Sequence, residues 1–299
     1  MTLVSYSSAL FDLIPRGAEV ELLATGFIFT EGPVWNADGN FLLFVDIPGN
    51  TIHRLDETGT SVWRHPSNHA NGLTYDGEHR LLACEHSTSR VTRTEHDGKI
   101  APVATHYRGK ELNSPNDLVV RSDGAVYFTD PLSGRSARMG IEREPELPFQ
   151  GVYRVAPGGE PELLTRDFPF PNGLCFSPDE SVLYVNDSSA MHIRAFDVTA
   201  SGSIENGGVF LEQPFSEAYP TGRPDGMKVD EQGNLYATGP GGIWIVRPEG
   251  ELLGIVETPE TAQNLTWGGE SWSMLFVTAG TSVYRLQTLA RGNRLVSRR

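Results

Sequence analysis

The sequence predicts an all-β fold, a six-bladed β-propeller with four-stranded blades and a ring closed by the N- and C-terminal segments. Three observations predict it. One pattern of paired strands recurs six times along the 299 residues. Its period matches the length of a propeller blade. No long window carries helical periodicity. A content of 32 Gly and 20 Pro with 38% hydrophobic residues is a globular, turn-rich balance that agrees with this.

The first copy opens at Glu31 in "FTEGPVWNADGNFLLFVD", where "GPVW" and "FLLFVD" read as strands joined at Ala37-Asp38-Gly39. "NTIHRLD" and "TSVWRH" follow as the third and fourth strands of that blade. The second copy, "NGLTYDGEHRLLACEH", begins at Asn71, and the third, "NDLVVRSDGAVYFTD", at Asn116. The fourth, "NGLCFSPDESVLYVND", begins at Asn172. "DGMKVDEQGNLYATG" from Asp225 and "NLTWGGESWSMLFVT" from Asn264 complete the set. The starts are separated by 40, 45, 56, 53 and 39 residues. The stretch beyond Asn264 and the stretch before Glu31 together suffice for a sixth blade built from both termini. Closure of that kind removes open sheet edges. Residues 1–299 are expected to form a single propeller domain, with 1–19 as an N-terminal extension. A β-sandwich or a two-domain split is the alternative, and six in-phase copies speak against both.

A formal net charge of −14 argues against nucleic acid or an anionic membrane as the main partner. Cys84 and Cys175 lie in the apolar runs "LLACEH" and "NGLCFS" and read as buried free thiols. The opening "MTLVSYSSALFDLIPRG" shows no basic stretch followed by a sustained apolar core, so no signal peptide is expected. No run approaches the roughly 20 apolar residues of a membrane span. A cytoplasmic location is the expectation.

In a propeller the first strand of each blade lines the central channel. Glu31, Asn71, Asn116, Asn172, Asp225 and Asn264 are therefore expected around one mouth of it. Hairpin pairing places the ends of the second strands, Asp46, His86, Asp130 and Asp187, on the same mouth, one strand further out. Two carboxylates facing each other across a channel raise each other's pKa, and buried polar groups cost free energy without partners. Water and mutual hydrogen bonds are one solution. A divalent cation is the better one, because the carboxylates neutralise it and asparagine oxygens complete an all-oxygen shell. That set favours Ca²⁺, with Zn²⁺, Mg²⁺ and Mn²⁺ as alternatives; Zn²⁺ usually recruits His or Cys.

"FTEGPVW", "LNSPNDLVV", "FPNGLCFSPD" and "RPDGMKVDEQGNLY" resemble the gluconolactonase, senescence-marker-protein (regucalcin) and luciferin-regenerating family over roughly residues 20 to 290. The stretch from Asn68 to Glu95 resembles its bacterial gluconolactonase branch. The resemblance implies a six-bladed propeller that opens lactones of sugar acids with one divalent metal. It implies Glu31, Asn116, Asn172 and Asp225 as metal ligands, with Asp225 also as catalytic base. Where the animal branch carries an arginine two residues before its channel asparagine, Ser114 stands here. His86 or an arginine of the 131–150 loop is expected to substitute.

The expected chemistry is attack by water on a metal-polarised lactone carbonyl, the water being activated by the metal, by a carboxylate or by both. No G-x-S-x-G stretch offers a serine nucleophile, and neither cysteine has a basic neighbour in sequence. Asp225 is the catalytic candidate, since only the two ring carboxylates accept a proton near neutral pH. Asn71, His86, Asn116 and Arg135 are the candidate substrate-binding residues. His86 reads equally as a plain strand-end residue, and Asn71 and Asn264 read equally as water-holding groups. Asp117 reads as a structural carboxylate bonding backbone amides of the neighbouring blade. Asp76, Asp123, Asp179 and Asp230 read as turn formers at the opposite end. The segment 131–150, with Arg135, Arg138 and Arg143, reads as a loop over the metal mouth. A small-molecule lactone is the expected partner. The alternatives are a calcium-dependent esterase or phosphotriesterase on the same fold, or a non-catalytic binding platform.

Overall fold

The computed structural model of the chain describes residues 3–294. Six antiparallel blades run in chain order around the ring. In the first blade, Thr30–Asn36, Phe41–Asp46, Thr51–Asp56 and Gly59–Arg64 run from the channel outwards. The innermost strands of the next four blades are Ala70–Tyr75, Leu118–Val120, Pro171–Phe176 and Met227–Val229. The sixth blade has Ala262–Gly268, Met274–Ala279 and Ser282–Gln287 from the C-terminal side, and Val20–Thr25 as its outer strand. Closure from both termini is therefore found as expected. The innermost strands touch in sequence around the circle, and Ala262–Gly268 against Thr30–Asn36 completes it.

The burial pattern follows from this stacking. A second strand such as Phe41–Asp46 has a neighbouring blade on each face, so every residue of it is buried. The fourth strand, Gly59–Arg64, is almost wholly exposed. The apolar residues form six clusters, each lying between two consecutive blades. At the closing seam Trp35 of the first blade stacks on Phe276 of the sixth, with ring centroids 5.0 Å apart. Such a pair adds about 1 kcal/mol beyond its buried area.

The N-terminal segment does more than extend the domain. Leu3–Ser5 pairs with Leu252–Glu257 as a fifth strand on the fifth blade, covering an edge that would otherwise be open. The short helix Leu10–Leu13 buries Leu10, Leu13 and Ile14 in the cluster between the fifth and sixth blades. The acidic turns behave as expected: Asp76, Asp123, Asp179 and Asp230 each accept backbone amides two or more residues ahead. Cys84 and Cys175 are free and buried. Among the described residues no helix is long and apolar enough to cross a membrane.

Candidate functional site

The innermost strands carry a register shift at their starts, between Glu31 and Val34, Ala70 and Leu73, Pro171 and Leu174, and Ala262 and Asn264. A bulge of this kind turns a side chain out of the regular pleat. It falls where Glu31, Asn71, Asn172 and Asn264 sit. Asn116 and Asp225 just precede the strands of their blades.

Neighbouring blades meet at the glycine after the ring residue. A Cβ on Gly32, whose φ is +47°, would lie 1.9 Å from the Asn71 carbonyl oxygen. One on Gly173 would lie 2.0 Å from the Asp225 carbonyl oxygen. Gly72 and Gly226 repeat the contact against Asn116 and Asn264, and Gly72 N–H donates to Asn116 O at 2.8 Å. Only glycine permits that approach, so the backbones at the mouth are drawn together.

Side-chain partners then orient the amides. Asn172 Nδ2 donates to Ser188 Oγ at 2.9 Å, and Asn116 Nδ2 donates to Ser133 Oγ at 3.1 Å. Each bond turns the amide oxygen away from the serine. Asn172 Oδ1 is buried and has no hydrogen-bond partner. Ser188 Oγ in turn donates to Pro224 O at 2.5 Å, and Asn186 Nδ2 donates to Asp225 O, which anchors the segment carrying Asp225.

The carboxylates in this setting are strongly perturbed. Burial pushes Glu31 up to about 7; the charge of Asp117 adds to this, while the Gly32 amide, the Asn264 side chain and Lys228 oppose it. Gly32 N–H donates to Glu31 Oε2 at 2.7 Å. Asp225 is raised well above the carboxylate range, first by burial and then by the charges of Glu31 and Asp117, with hydrogen bonding to Asn172 working against the rise. Burial also raises Asp117. Three acids that resist ionisation, beside an unpartnered amide oxygen, suit a cation. The donors on offer are carboxylate and amide oxygens, which match a hard divalent ion. Among the described residues no three His, Cys, Asp or Glu are grouped to hold an ion, so any such site relies on the asparagine oxygens.

Residues 29–281 match the family model described as the SMP-30/gluconolactonase/LRE-like region. The chain belongs to this family. A gluconolactonase of Zymomonas mobilis is 32% identical, over 97% of this chain and 87% of that protein. A regucalcin of Bos taurus is 29% identical over 83% of this chain and 82% of that one. The solved structure of a Xanthomonas campestris gluconolactonase superimposes with a TM-score of 0.89 at 33% identity, covering 96% of this chain and 95% of that one.

Within the family fold, the second tier of acids has a task of its own. Asp46 accepts the amides of Ile28 and Phe29, Asp130 those of Asn113 and Ser114, and Asp187 that of Phe170. These carboxylates hold the chain as it enters the innermost strands of the first, third and fourth blades. The bulge also moves the register one place from simple hairpin pairing, so Asp46 lies opposite Thr30 and Glu31 opposite Val45.

Two of the expected substrate contacts, His86 and Arg135, lie buried in hydrogen-bonded settings. His86 is fully buried, and its Nδ1 lies 2.9 Å from Met139 O. Because a carbonyl only accepts, Nδ1 carries the proton, and Nε2 faces Asn71 Nδ2 at 3.4 Å as acceptor. Burial pushes His86 down to about 4, so it is neutral and serves as the post on which the 131–150 loop closes. Gly134 packs so tightly on it that a Cβ would lie 2.4 Å from His86 Cγ. Arg135 is likewise buried. Its guanidinium donates to Asn113 O, Leu112 O, Glu144 O and Glu111 Oε2, so it staples the loop and has no free face for substrate. Ser114, where the family's animal branch carries arginine, donates to Pro131 O at 2.6 Å and accepts Gly134 N–H at 3.0 Å. The loop does lie on the mouth side, between Val126–Asp130 and Gly151–Val155. Arg138 is its exposed arginine, 5.8 Å from the ring centroid of Phe29.

Lys228 belongs to the electrostatics of the mouth and went unrecognised in the sequence, and Asp117 acts there beyond the structural role expected of it. Asp117 Oδ1 accepts the amide of Leu118 in its own blade at 2.8 Å, not amides of the neighbouring blade. Its charge acts instead on Glu31 and Asp225. A signal existed: four of the six copies have glycine after the ring residue, and Asp117 stands in that place.

Proposed function

We propose that the protein hydrolyses lactones of sugar acids, using one divalent cation held by Glu31, Asn116, Asn172 and Asp225. Calcium is the preferred cation; the all-oxygen donor set speaks against Zn²⁺ and also admits Mg²⁺ or Mn²⁺. The observation that carries the reading is the buried pair Glu31 and Asp225, the charge of Glu31 raising the proton affinity of Asp225, beside the unpartnered Asn172 Oδ1. Relatives named gluconolactonase and pentonolactonase support the substrate class.

When bound, the cation supplies Lewis acidity at the lactone carbonyl and stabilises negative charge developing on its oxygen. Asp225 takes a proton from water as the water oxygen bonds to the carbonyl carbon. The bond from that carbon to the ring oxygen then breaks, and Asp225 returns the proton to the departing oxygen. The product is a hydroxycarboxylic acid. Asn71 and Asn116 orient substrate hydroxyls, and Arg138 takes the loop contact that Arg135 cannot make. His86 holds Asn71 and the loop in place. The buried thiols take no part: burial pushes Cys175 up to about 12.

The test is a panel of aldonolactones, aryl esters and phosphotriesters, assayed with and without chelator. Aldonolactones should be turned over best, and chelation should abolish the activity until cation is restored. Full activity in protein shown metal-free by elemental analysis overturns the cation; preference for phosphotriesters overturns the substrate class. Asp225→Asn keeps an oxygen donor and loses the base. Normal cation binding with near-wild-type kcat in that variant overturns the base assignment.

A further inference from the structure

The far end of the channel carries a cavity of about 170 Å³ that lactone hydrolysis does not use. Its wall forms where the innermost strands finish, at Asn36, Tyr75, Val120, Phe176, Val229 and Trp267. Glu31, Asn71 and Asn172 lie at the other ends of those strands. Between the two mouths lies a layer made by the third residue after five of the ring residues, Val34, Thr74, Val119, Cys175 and Lys228, and by Thr266, the second after Asn264.

Five members of that layer are uncharged and one is a lysine. Lys228 Nζ donates to Met227 O at 3.1 Å and closes no ion pair among the described residues. An ammonium has three donors, so two remain. Glu31 and Asp117 feel its charge without reaching it for a salt bridge. The other acid at the cavity, Asp76, is committed to Arg80 and its own turn. The cavity thus presents Lys228 at its floor, with Arg294 and His79 among the side chains around it, between largely aromatic and aliphatic walls.

We infer that this second mouth binds a small monocarboxylate with a flat aromatic body, its carboxylate on Lys228. Charge complementarity selects the acid, and the rings of Trp35, Tyr75, Phe176 and Trp267 receive the apolar body. The inference is independent of the lactonase reading.

Trp35, Trp267 and Trp272 line the cavity, so intrinsic fluorescence reports on it. The full-length protein is titrated with 2-naphthoate and, in parallel, with the uncharged 2-naphthalenemethanol. Saturable quenching by both is expected, stronger for the acid. Lys228→Gln should weaken the acid by about tenfold, the scale of one charge-assisted hydrogen bond, and leave the alcohol nearly unchanged. Trp272→Ala, at the rim, should weaken both and covers the case in which Lys228→Gln fails to fold. Non-saturable quenching, an unchanged acid affinity in Lys228→Gln, or displacement of naphthoate by gluconolactone overturns the site. Binding seen only after removal of residues 295–299 also overturns it, since the chain's own end would then be the occupant.

Discussion

Asn172 donates its side-chain amide to Ser188 Oγ at 2.9 Å, and this bond settles which way Asn172 Oδ1 faces. The same hydroxyl donates to Pro224 O, next to Asp225, so one serine organises two of the proposed cation ligands. Partners of this kind are often worth 10–100-fold in metal affinity. Ser188→Ala is expected to weaken Ca²⁺ binding by about tenfold or more while circular dichroism stays native. Calorimetric titration of the variant checks it, and unchanged affinity contradicts the orienting role.

A second expectation concerns pH. Glu31 is raised from 4.5 to about 7. A carboxyl with a raised folded value contributes stability that is full below its unfolded value and is lost as pH rises through the folded one. The cation-free protein should therefore lose stability between about pH 4.5 and 7. Cation binding requires deprotonated ligands, so apparent affinity should fall about 100-fold between pH 8 and 5. Melting curves across that range, with and without Ca²⁺, should show a thermal shift that grows with pH. A flat shift contradicts the coupling.

Gly173 offers a test of the blade seam. A Cβ there would lie 2.0 Å from Asp225 O, whereas one on the exposed Gly208 meets nothing within 4 Å. Gly173→Ala should cost about 1–3 kcal/mol by overpacking and reduce activity by displacing Asp225. Gly208→Ala should do neither. Equal melting temperatures and activities for the two variants would refute the seam.

The 131–150 loop is held by Arg135 and His86. Arg135→Ala removes bonds to Leu112, Asn113, Glu111 and Glu144 and should raise KM more than it lowers kcat. His86 has a folded value pushed below its ordinary 6.5 to about 4. Its contribution is full above about 6.5 and is lost as pH falls towards 4. Loop protection from proteolysis should therefore weaken in that acidic window, and His86→Asn should lessen that pH dependence. Unchanged kinetics across several lactones in Arg135→Ala would contradict the loop's part in substrate binding.

Much of the fold was legible because a propeller writes its geometry into repeats. Each innermost strand needs a turn at one end and a polar opening at the other, so Glu31, Asn71, Asn116, Asn172, Asp225 and Asn264 recur at blade intervals. Closure from both termini followed from chain length alone. Side-chain roles were less legible. His86 and Arg135 are polar residues near a mouth, and nothing local distinguishes one that faces substrate from one that clamps a loop. The difference lies in Met139 O, Asn113 O and Glu144 O, partners distant in sequence or within a loop whose path sequence does not specify.

The sequence by itself determined the blade count, the ring positions, the acidic turns and the buried thiols, because each depends on spacing or on local turn chemistry. Tertiary structure alone decided three things. It placed Asp117 and Lys228 among the charges that act on Glu31. It fixed the asparagine amides through Ser133 and Ser188. It also joined the ends of six strands into a second cavity. The physical reason is the same in each case. Electrostatic and hydrogen-bond effects depend on distances across blade seams, and those distances exist only once the ring has closed.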